Sequence, residues 1–105
     1  MFDELRDIVA ERKRIEWDDG IDQCLKKGIE ILTRDLEQTI NFIENECDDE
    51  TFCWIGEVFD DVAEITQSKE FVAAIKRRAA KVVDAEERRS VEVDVSFAED
   101  SLIDD

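Results

Sequence analysis

The segment from Asp48 to Ser68 reads DDETFCWIGEVFDDVAEITQS. It carries Phe52, Trp54, Phe59 and several branched aliphatics beside seven acidic side chains and no basic one. On a helix advancing about 100° per residue, Glu57, Asp60, Asp61 and Glu64 fall on one narrow stripe. Trp54, Ile55, Val58, Phe59, Val62 and Ile65 cover one side and the back, and Phe52, Gly56 and Ala63 widen that arc. A helix apolar around more than half its circumference is packed on several sides. The segment is the expected central helix of the domain, beginning at Asp48 or Asp49, with the carboxylates on its one wet face.

Helical spacing continues on both sides. Phe2, Leu5, Ile8, Val9 and Ile15 make one apolar side of a first helix over about residues 2–15. The WDDG of Trp17 to Gly20 interrupts it, and Asp18 or Asp19 is placed to cap the next helix. Ile21, Leu25, Ile29, Leu32 and Leu36 then form a four-residue ladder that ends its helix near Thr33. Gly28 inside that ladder suggests a close helix–helix crossing. Asp35 with Gln38 offers a capping box for a third helix reaching about Glu46. Ser68 is the expected N-cap of a further helix with Phe71, Ile75, Ala79 and Val82 as its buried stripe. No Pro and only three Gly occur in the chain. The expected fold is mainly α, a compact antiparallel bundle of about five helices joined by short connections.

The last residues change period. In VEVDVSF, Val91, Val93, Val95 and Phe97 alternate with Glu92, Asp94 and Ser96, which is strand periodicity. A lone strand leaves its backbone groups unpaired. Three fates are open to it: pairing with a second copy in a homodimer, adding to a partner's sheet, or lying extended over the helices. The expected organisation is a helical domain over residues 1–90 followed by a short C-terminal β-strand and an acidic tail over residues 91–105.

Charge narrows the partners. The chain of 105 residues has 30 acidic and 14 basic side chains and a net charge of -16. Such a protein repels the phosphates of nucleic acids and anionic membranes, so neither is an expected direct partner, while a basic protein is. The charge is also unevenly placed. Residues 35–68 hold eleven acids and no base, whereas residues 69–89 hold four acids and seven bases. Solubility alone does not require that segregation. Lys76, Arg77, Arg78 and Lys81 lack interleaved aromatics and read as an intramolecular balance to the acidic helices. For the stripe itself three readings stand side by side: a plain solvated face, a divalent cation site, and a face for the Lys and Arg of a partner. No EF-hand spacing supports the second. A cationic partner would relieve the repulsion between like charges one turn apart.

Catalytic constellations are nearly missing. The chain has no His, which removes the commonest general base and every His-activated nucleophile. Gly20, Gly28 and Gly56 are isolated and form no phosphate-cradling loop. Cys24, Cys47 and Cys53 lack CxxC spacing and read as buried free thiols in a reducing compartment. The expectation is a cytoplasmic protein that is not an enzyme and uses no cofactor or metal.

FDELRDIV at the start, ENECDDE at residues 44–50 and above all WIGEVFDDVAEITQSKEFVAAI at residues 54–75 resemble bacterial immunity proteins of contact-dependent growth inhibition systems. The likeness covers roughly residues 2–82. It implies a cytoplasmic antitoxin that binds the toxic C-terminal domain of a delivered effector, commonly a basic nuclease, encoded by the neighbouring gene. Occlusion of that domain is the implied mechanism. The alternative is an acidic DNA mimic or adaptor that binds basic nucleic-acid-binding proteins. The candidate partner-binding residues are Asp48, Asp49 and Glu50 before the helix, and Glu57, Asp60, Asp61 and Glu64 on the stripe. Trp54 borders the stripe, as a core residue or as an apolar anchor.

Overall fold

The computed structural model describes residues 3–14 and 20–103, without the side chains of Lys13, Ile21 and Asp22. The expectations for Phe2, Ile15, the side chain of Ile21 and the caps at Asp18 or Asp19 fall outside the described residues, as do Asp104 and Asp105. Among the described residues seven α-helices follow one another: α1 (Asp3–Arg14), α2 (Gly20–Arg34), α3 (Leu36–Asn45), α4 (Asp49–Ile55), α5 (Phe59–Thr66), α6 (Lys69–Ala79) and α7 (Ala85–Asp100). No strand occurs among the described residues. No helix among them is long and apolar enough to cross a membrane.

The caps are set locally. Asp35 accepts a hydrogen bond from the Gln38 amide, Asp48 from that of Thr51 and Ser68 from that of Phe71. Each satisfies a backbone donor that the first helical turn leaves open. Between α2 and α3 the buried Thr39 hydroxyl donates to the Leu32 carbonyl at 2.9 Å, which fixes the bend there.

The central helix of the sequence reading is two helices. Gly56–Val58 form a single 3-10 turn between α4 and α5. At Gly56 α7 comes so near that an added Cβ would sit 2.6 Å from Asp94 Oδ2 and 3.4 Å from Val91 Cγ2. The turn keeps Phe52 and Phe59 facing inward together, their ring centroids 5.2 Å apart. Phe59 also meets Phe71 edge-on at 6.1 Å. These three rings, all fully buried, join α4, α5 and α6 into one core with Phe42, Val62 and Ile75. Ile65, expected on the buried arc, is instead 63% exposed.

Residues 91–97 are helix, not strand. Asp84 caps α7 by accepting from the amides of Glu86 and Glu87. On that helix Val91, Val95 and Ala98 face the core. With no second strand to pair with, the backbone of this segment is satisfied only within a helix. The strand-mediated homodimer therefore loses its structural basis. Alternation misled because, at about 100° per residue, positions 91 and 95 fall on one side and positions 93 and 97 on the other.

α1 and α2 run antiparallel, but α5 and α7 do not. Val91 and Asp94 approach Gly56 at the start of α5, and Ser101 and Ile103 meet Gln67 at its end, so the two helices run parallel. Gln67 closes α5 in the left-handed conformation, with φ of 50°. Its side chain donates to the Glu64 and Ser101 carbonyls and accepts from the Ile103 amide. These bonds offset the strain of a non-glycine residue there and fasten the end of α7 to α5.

Gly28 is buried in α2, yet no atom beyond its own stretch of helix backbone lies within 4 Å of where its Cβ would be. It is not a close crossing point. It borders a small apolar pocket of about 30 Å³ walled by Leu5, Val9, Leu25, Trp54 and Val58. Gly28→Ala should therefore stabilise the protein by about 1 kcal/mol, through helix propensity and the smaller entropy of the unfolded chain. Urea unfolding checks this: the midpoint should rise with the slope unchanged.

Candidate functional site

The acidic residues singled out in the sequence separate into two groups. The first is engaged within the protein. Asp48 is the cap of α4, and the Thr51 hydrogen bonds hold its carboxyl below the usual range. Asp49 accepts from the Val83 amide at 3.1 Å and from Arg78 Nη2 at 2.6 Å, and these bonds, the amide's first, lower its pKa. Glu57 takes a bidentate pair from Arg12, at 2.8 and 3.0 Å. The same guanidinium lies 5.3 Å from the centre of the Trp54 ring. Trp54, half-buried, also walls the small pocket beside Gly28. Trp54 and Glu57 thus belong to a packed contact between α1 and the α4–α5 turn. Glu50 stands exposed in the first turn of α4.

Lys76, Arg77 and Arg78 of α6 are spent in the same way, while Lys81, just past its end, is exposed and has no ion pair among the described residues. Arg77 pairs with Glu44 at 2.5 Å and Lys76 with Glu99 at 2.8 Å. The Arg77 hydrogen bond draws the Glu44 pKa down. Arg78 is buried, donates to the Cys47 carbonyl at 2.9 Å and lies 5.2 Å from the Phe52 ring centre. α6 therefore neutralises carboxylates on α3, α4 and α7.

The second group is Asp60, Asp61 and Glu64 on α5. Among the described residues none of them has an ion pair. Partial burial raises the Asp61 pKa, and the charges of Asp60 and Glu64 raise it further. Asp94 of α7 joins them, a residue the sequence reading placed on the polar side of a strand. Partial burial against Gly56 raises its pKa first, and the charges of Glu57 and Asp60 add to that. Repulsion here is unrelieved, whereas it is relieved around Glu44 and Asp49. The helix periodicity of residues 91–98 was the one signal that could have found Asp94. The carboxylates do not converge on a point: among the described residues no group of three or more His, Cys, Asp or Glu is placed to hold a metal ion.

Cys24 and Cys47 are buried and Cys53 is half-buried, all three as free thiols. Burial pushes the Cys47 pKa up to about 12 and that of Cys53 to about 11, which leaves both as poor nucleophiles. Comparison with family models, with curated proteins and with solved structures returns no match.

Proposed function

We propose that this chain is an immunity protein: a cytoplasmic antitoxin, not an enzyme, that binds the basic toxic domain of a contact-dependent inhibition effector and blocks its substrate surface. The observation that supports the reading is the segregation of charge. The cations of α6 answer Glu44, Asp49 and Glu99, while Asp60, Asp61, Glu64 and Asp94 lie together without a cation of their own among the described residues. A nuclease domain that grips phosphate presents a complementary basic face. Opposed fields of this kind steer fast association and exclude the nucleic acid.

The test uses the product of the neighbouring gene. Tagged wild-type protein should retain it through purification and protect cells that express it. Asp60→Asn, Asp61→Asn and Glu64→Gln together should weaken that complex by at least about tenfold, with most of the loss in the association rate. Folded protein that captures no neighbour overturns the reading. Capture of several DNA-binding proteins with a uniform dependence on salt replaces it with the DNA-mimic reading.

A further inference from the structure

We infer that the solvent face of α7 is a docking surface for a basic protein segment bearing a large apolar side chain, seated along the seam between α5 and α7. The inference rests on the reading above for the partner's basic character and goes beyond it in naming the surface and the recognition element. Val93 and Phe97 stand one turn apart on α7, 51% and 56% exposed. In a chain with 42% charged residues, two large apolar side chains adjoin on the outward side of a helix whose core side is already supplied by Val91, Val95 and Ala98.

Charge complementarity identifies the occupant. Asp94 lies in sequence between Val93 and Phe97 and turns toward α5, where Gly56 lets it approach Glu57 and Asp60. The apolar strip is thus bordered on the side facing α5 by Asp94 and, next to it, Asp60, two carboxylates without an ion pair among the described residues. A second copy of this chain would bring those carboxylates against their own kind, and an anionic bilayer would be repelled by them. A cationic segment with one apolar anchor satisfies both parts of the surface. Helix-in-groove recognition combines such anchors with a charged rim.

Two synthetic peptides of equal length and charge test the inference directly. One is an amphipathic helix of Lys and Leu; in the other Ser replaces every Leu. Isotope-labelled protein titrated with each should show amide shifts centred on residues 57–66 and 90–101, and the Leu peptide should bind about tenfold more tightly. Phe97→Ser, at an exposed position that leaves the core intact, should bring the Leu peptide down to the level of the Ser peptide. Equal affinities for the two peptides, shifts centred on residues 48–50, or indifference to Phe97→Ser each overturn the proposal. A concentration-dependent dimer by sedimentation, dispersed by Phe97→Ser, would overturn it in favour of a second copy as the occupant. The outcomes stay separate from those of the toxin reading. Loss of the neighbouring gene product with the peptide pattern intact overturns only that reading, and a toxin complex with the peptide pattern missing overturns only this one.

Discussion

Phe59→Ala should destabilise the protein by about 4 kcal/mol, the range found when a fully buried aromatic side chain is truncated and its cavity stays open. Phe59 has no exposed surface, and its ring packs against both Phe52 and Phe71. Those neighbours come from α4 and α6, on either side of the turn at Gly56–Val58, so none can move into the space without shifting a helix. A domain of this size is stable by only about 5–15 kcal/mol. The variant should therefore keep much of its helical ellipticity at low temperature and lose it in an early, shallow urea transition. Phe97→Ala on α7 is the matched control. It removes the same group from a solvent-facing site and should change stability by no more than about 0.5 kcal/mol. Equal losses in the two variants would mean that Phe59 is not the centre of the core.

Arg78→Met should cost about 2 kcal/mol, by removing the charged donor of the Cys47 carbonyl and of the half-buried Asp49 carboxylate. The substitution keeps apolar bulk beside Phe52 but removes the donor to the Cys47 carbonyl and to Asp49. Through Asp49, which also holds the Val83 amide, Arg78 ties α6 to the start of α4 and to the approach to α7. The effect should depend on pH with a definite sign. Asp49 has a depressed pKa in the folded protein. Its contribution is present above the unfolded carboxylate range and is lost as pH falls through the folded value. The gap between wild type and Arg78→Met should thus be largest near neutrality and narrow in acid. Asp49→Asn introduced into Arg78→Met should cost less than in wild type, because the pair is already broken. Unfolding titrations of the four proteins at neutral and acid pH read both expectations together.

Short-range physics accounts for what was legible. The caps at Asp35, Asp48 and Ser68 involve side chains and amides three residues apart, and each stands where the sequence places it. The buried stripe of α6 follows from spacing alone, as do Leu5 and Val9 on α1, whereas α3 buries Thr39, Phe42 and Ile43 and leaves Leu36 and Ile40 half-buried. Residues 91–97 were misread because period two and period 3.6 both fit four apolar residues at alternate positions. The arbiter was the lack of any second strand together with the Asp84 cap. The acidic stripe was legible as composition but not as a site, since one regular helix across Gly56 puts Glu57 beside Asp60 and gives no hint of Arg12.

The amino-acid sequence by itself determined that this protein is mainly helical, strongly acidic and built around the apolar face of residues 52–63, because periodicity, propensity and charge act over one or two turns. Only the tertiary structure decided which carboxylates remain unpaired. Arg12 reaches Glu57 across 45 residues and Arg78 reaches Asp49 across 29. No local rule predicts such pairs, since they depend on how far α1 and α6 swing against the turn at Gly56. Among the carboxylates those pairings leave over, Asp60 of α5 and Asp94 of α7 come together near Gly56, on two helices that run parallel from opposite ends of the second half of the chain.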